Sequence, residues 1–105
     1  MGLVQTGGAR VGRSFWWSIN WTLPFATLEV DEQALTLRIP RAVYQVPRAD
    51  VRRIRLIGPS WAPPGFHGVV VEHNIDQMPP YIVFWTLNRP ALLQALAASG
   101  YQVAG

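Results

Sequence analysis

Four of the nine basic residues fall within eight positions, at Arg48, Arg52, Arg53 and Arg55, and all nine are arginine. A guanidinium is a planar fork of N–H donors that matches a phosphate or carboxylate two bonds at a time. Strand alternation puts Arg53 and Arg55 on one face, opposite Arg52, Ile54 and Leu56. With Ile54 and Leu56 facing a core, Arg53 and Arg55 point to solvent. If the segment Leu35 to Ile39 lies in the same sheet, Arg38 is outward too, and three guanidiniums could hold a phosphate or an acidic partner. The ordinary alternative is a solvated sheet face on which these arginines pair with Glu29 or Glu72, the usual fate of surface charges.

Aromatic residues supply the other binding candidates. Trp61, Pro63, Pro64 and Phe66 crowd one loop, where an exposed Trp beside prolines would anchor an interface, or would fold back to plug the end of a barrel. Trp16 lies on the polar phase of its strand, so one of Trp16 and Trp17 faces outward unless something covers it. Near Arg10 and Arg13, an outward Trp could dock at a membrane interface or cover a sheet edge in a homo-oligomer. The candidate binding residues are therefore Arg38, Arg53, Arg55, Trp61, Phe66 and Trp16.

Catalytic chemistry finds little support. His67, His73, Glu72 and Asp76 are the one constellation of suitable types, but adjacent strand residues point to opposite faces, so Glu72 and His73 cannot share a metal. There is no nucleophile elbow, no glycine-rich phosphate loop and no meaningfully spaced carboxylate pair. With no cysteine, disulfides, thiolate metal sites and thiol nucleophiles are excluded. The expectation is a non-enzyme with no cofactor and no metal.

At 105 residues and 50% hydrophobic content the chain has material for one core, and its apolar fraction excludes disorder. The pI near 10.2 rests on arginines that never titrate. An Arg-only vocabulary in an Ala-, Gly- and Pro-rich chain fits coding bias as well as any basic surface, so nucleic-acid binding is not inferred. The apolar run Tyr81 to Trp85 is far below the roughly 20 residues of a spanning helix, and no secretory signal is present. Met1 to Thr6 fits a myristoylation pattern, but one too degenerate to carry weight before Gly7-Gly8. A cytoplasmic location is expected, with the inner face of the membrane as its variant.

These residues need elements to position them. Phe15, Trp17, Ile19, Trp21 and Leu23 alternate with Ser14, Trp16, Ser18, Asn20 and Thr22, a strand with one buried face. At Pro24 the apolar frame slips onto Ala26, Leu28 and Val30, so a turn or bulge is expected there. Asp31 to Ala34 reads as a hairpin loop leading to Leu35, Leu37 and Ile39. Short strands follow at Val43 to Val46, Val51 to Ile57 and Gly68 to His73, and Tyr81 to Leu87 reads as a strand buried on both sides. Asn88 as N-cap, Pro90 in the first turn, the stripe Leu92, Leu93, Leu96 and Ala97, and Gly100 as the closing residue define one helix. Met1 to Gly12 is glycine-rich without apolar period and is expected to be a flexible leader, with a single domain over 13–105.

Seven antiparallel strands closed by a C-terminal amphipathic helix resemble the pleckstrin-homology-like (PH-like) superfold, most closely its small bacterial members of unknown function. The resemblance runs from about Phe15 to Tyr101 and rests on the hairpin Ala26 to Arg38, the strand-turn-strand Tyr44 to Ile54, and the segment Pro80 to Trp85 entering the helix. It implies a mainly-β, partly open seven-stranded barrel capped by an α-helix, serving as a binding or assembly module. Members that bind phosphoinositides carry a basic cluster in the first hairpin. Here no basic residue lies between Ser14 and Ala34, so no specific phosphoinositide site is expected.

The expected function is a non-enzymatic interaction module that binds a protein partner or assembles with itself through an exposed strand edge or the Trp61–Phe66 loop. The alternative is peripheral attachment to an anionic membrane surface through Trp16, Trp17, Arg10 and Arg13. A barrel with a small-molecule cavity ranks below both, because a barrel this small is normally filled by its own side chains.

Overall fold

A computed structural model describes residues 2–13, 18–40, 42–58 and 67–104. In chain order it contains β1 (Leu3–Gly12), β2 (Ser18–Val30), β3 (Ala34–Ile39), β4 (Ala42–Pro47), a 3-10 turn (Arg48–Asp50), β5 (Val51–Ile57), β6 (His67–His73), β7 (Tyr81–Thr86), α1 (Arg89–Ala98) and β8 (Val103–Ala104). The strands form a sheet in the order β4-β3-β2-β1-β7-β6-β5-β8. Two antiparallel meanders, β1 to β4 and β5 to β7, are joined by the pairing of β1 with β7, and the two-residue β8 adds in parallel to β5.

The sheet curls so that one face of both meanders shares a single core. Val11 from β1, Leu28 from β2, Leu37 from β3, Ile54 from β5, Val71 from β6 and Phe84 from β7 meet Leu92 and Leu96 of α1. Among the described strands the two ends of the sheet, β4 and β8, do not pair, so the barrel stays open between them. This is the mainly-β, helix-capped, partly open barrel expected from the sequence. β7 is buried on both sides, with Ile82 and Phe84 in the core and Val83 fully buried on the other face.

The flexible leader is the main correction. Leu3–Gly12 is the strand that joins the two meanders, paired to β2 on one side and β7 on the other. Gly7 reflects close approach: a Cβ there would collide with the carbonyl oxygen of Trp85 and lie 2.9 Å from Cζ of Phe84. Glycine-rich sequence hides a strand whose neighbours come too near for side chains. The inward Ala9 and Val11 supply its only deeply buried side chains.

The slip at Pro24 is a bulge inside one strand. Gly7 pairs with Ala26 while Ala9 pairs with Trp21, so β2 carries extra residues around Pro24 and continues in the sheet. The expected total of seven antiparallel strands therefore holds with a different membership. One expected pair fuses into β2, and β1 makes up the number.

Local signals place the ends of the elements. Oδ1 of Asp31 accepts from the backbone N–H of Gln33 at 2.7 Å and of Ala34 at 2.9 Å, closing the β2–β3 hairpin. Asn88 caps α1 by accepting from the N–H of Ala91 at 3.2 Å. At the other end Gly100 has φ +90°, the N–H of Gly100 donates to Ala97, and that of Tyr101 donates to Leu96. This is a full Schellman closure, with Tyr101 packed into the core. Leu92 and Leu96 are buried and Leu93 half-buried as expected, whereas Ala97 is exposed.

Candidate functional site

The arginines of the outer face fall into two separate groups. Arg38 on β3 donates through Nε to Oε2 of Glu29 on β2 at 2.5 Å. On β5, Arg53 donates to both carboxylate oxygens of Glu72 at 3.2 and 3.3 Å, and Arg55 donates through Nε to Oε2 of the same residue. Four strands, β2, β1, β7 and β6, lie between β3 and β5, so the sheet does not gather Arg38, Arg53 and Arg55 around one ligand. The half-buried position of Glu72 pushes its carboxyl pKa up, and the hydrogen bonds from Arg55 and Arg53 outweigh this and hold it below the usual carboxylate range. The pairing with Glu29 and Glu72 is the solvated-face arrangement weighed above. Trp16, Trp61 and Phe66 lie outside the described residues.

His73 has a structural role. The backbone N–H of Ile75 points at Nδ1 at 3.0 Å, so Nδ1 accepts, and Nε2 then donates to the carbonyl of Pro79 at 2.9 Å. One imidazole thereby ties both ends of the β6–β7 connection together. Among the described residues no three His, Asp or Glu side chains converge as a metal site. Between Leu37, Tyr44, Val71 and Phe84 there remains about 10 Å³, room for a single water at most. At that point the described side chains leave no room for a small-molecule ligand. Nor is any described helix long and apolar enough to cross a membrane.

The two ends of the sheet differ. The β5 edge is covered by β8, through Ile54 paired with Val103 and Arg55 with Ala104. The β4 edge has β3 on one side and, among the described residues, no strand on the other. From Ala42 to Val46 that edge carries no charge, and Val43 on its surface is 55% exposed.

Sequence reasoning missed a basic cleft at the end of the barrel where the Arg48–Asp50 turn meets the C-terminal segment. Arg48, Arg52 and Arg53 line an opening of about 210 Å³ together with Gly100, Tyr101 and Gln102. Alternation sends Arg52 to the side opposite Arg53, but the register breaks between them. Val51 pairs with His73 and Arg53 with Glu72, so Arg52 is the extra residue of a β-bulge. The bulge leaves Arg52 exposed and places consecutive arginines on the wall of one cleft. The dense arginine spacing was visible in the sequence, whereas the bulge depends on pairing with β6 and was not.

Against protein-family models, curated proteins and solved structures, the chain has no significant match of any kind.

Proposed function

We propose that the chain is a non-enzymatic, PH-like interaction module that receives an added strand along β4, the first occupant being β4 of a second copy. The observation that carries this reading is the asymmetry of the sheet edges. One end is closed by the chain's own β8, while among the described residues no strand pairs with the other side of the six-residue, uncharged β4. Natural sheets blunt such edges with charge, proline or a covering element, because unpaired N–H and C=O groups template further strands. Within β4 the only such device is Pro47 at its end. Antiparallel pairing of two identical edges about a two-fold axis is self-complementary and closes, giving a dimer rather than a fibre. The PH-like part of the reading draws on the seven curled antiparallel strands and the C-terminal helix.

Light scattering coupled to size exclusion, at low and high salt, tests the proposal. A salt-insensitive dimer is expected, since backbone pairing and the exposed Val43 do not rely on charge. Val43→Lys should convert the dimer to monomer without loss of fold. A wild-type monomer across the accessible concentration range, or a dimer indifferent to Val43→Lys, would refute edge pairing.

A further inference from the structure

A second surface, independent of the β4 edge, has the chemistry of an anion site. We propose that the cleft between the Arg48–Asp50 turn, the bulged start of β5 and the Gly100–Gln102 segment binds a phosphate group carried on a small soluble molecule.

Each wall contributes a distinct element. Arg48 is held in place: its Nη1 donates to the carbonyl of Ser99 at 3.2 Å, at the C-terminal end of α1, which leaves the rest of the fork for a ligand. Gly100 makes that position accessible in two ways. Its φ of +90° closes the helix, and a Cβ there would stand 2.6 Å from Nη1 of Arg48. Arg52, set outward by the bulge, has no ion-pair or hydrogen-bond partner among the described residues, so a whole bidentate fork stands unused at the opening. Arg53 completes the set but is shared with Glu72.

The charge balance favours an anion. Among the described residues lining the cleft none is a carboxylate, and Gln102 adds an amide donor. Glu72 reaches the cleft through Arg53, the Asp31 charge is felt at Tyr101, and Glu32 stands beyond Arg48, on a wider depression of about 470 Å³. Size sets the ligand class. At about 210 Å³ the cleft is smaller than the roughly 300–1,000 Å³ of sites that enclose drug-sized ligands. It suits one phosphate with a short substituent, not an extended cofactor.

The test is an amide NMR titration of the full chain with inorganic phosphate, against sodium chloride at matched ionic strength. Saturable shifts confined to Arg52, Arg53 and the Gly100–Gln102 backbone are expected with phosphate alone. Arg52→Ala, which breaks no hydrogen bond or ion pair among the described residues, should weaken binding by about tenfold or more, as expected for lost hydrogen bonds to a charged group. Glu72→Gln, which releases Arg53 and Arg55, should tighten it. Equal shifts with chloride, shifts that do not saturate, or unchanged affinity in Arg52→Ala would overturn the site. Sedimentation with phosphatidylcholine vesicles containing phosphatidic acid separates the two phosphate sources. The protein should stay in the supernatant, and vesicle binding abolished by Arg52→Ala would overturn the assignment to a soluble ligand.

Discussion

Tyr101 joins three parts of the chain through one side chain. Its N–H closes α1, its ring enters the core, and its hydroxyl donates to the carbonyl of Asp31 at 2.9 Å, tying the C-terminal segment to the β2–β3 hairpin. Burial, reinforced by the Asp31 charge, pushes its pKa up to about 12. A raised pKa means that the folded state holds the proton more tightly than the unfolded chain, whose tyrosine titrates near 10. The stability this contributes is complete below about pH 10 and is lost as pH climbs through 12. Denaturant melts between pH 8 and 12 should show that loss in the wild type, and Tyr101→Phe should flatten it while costing on the order of 1 kcal/mol at neutral pH for the missing hydrogen bond. Asp31 carries the opposite sign. The N–H groups of Ala34 and Gln33 hold its carboxyl below the usual range, so its contribution is present above the ordinary aspartate pKa and fades as pH falls below about 4. Asp31→Asn should remove that part of the acid sensitivity in the same melts.

At the scale of elements, β1 decides whether the molecule folds. Were residues 1–12 a leader, deleting them would leave the melting temperature unchanged. Because β1 pairs with both β2 and β7, deletion should abolish cooperative unfolding, and circular dichroism on the truncated chain reads this directly. A finer probe is Gly7→Val, whose side chain must enter the space of the Trp85 carbonyl and the Phe84 ring. The expected cost is more than about 3 kcal/mol, by overpacking at a site where the obstacle is backbone. The same strand shows where sequence reading ends. Periodic apolar residues, the Asn88 cap, the Gly100 closure and the Asp31 turn are local, and each was legible from neighbouring residues alone. The identity of β1 was not, because Gly7 records the approach of β7, more than sixty positions away in the chain. Arg52 was hidden for a similar reason: its exposure follows from a register break against β6, and strand alternation read from β5 alone points it the wrong way.

For the whole molecule, the join between β1 and β7 and the opening between β4 and β8 imply a gradient of stability. β1 and β7 lie at the middle of the sheet, each paired on both sides, and include the buried Ala9, Val83 and Phe84. Among the described residues β4 is held on one side only, and half of its residues are exposed. Surface pairs such as Arg38 with Glu29 add little at either end, since exposed ion pairs typically contribute under about 1 kcal/mol. Amide exchange should therefore be slowest in β1 and β7, at the free energy of global unfolding, and fastest, among β1 to β7, in β4. Protein concentration makes this gradient diagnostic. Strand addition along β4 gives its outward amides partners that a monomer lacks, so their protection should rise with concentration while that of β1 and β7 stays level. A gradient unmoved by concentration would mean that the β4 edge is stable while bare, and would refute edge pairing from a direction that Val43→Lys does not probe.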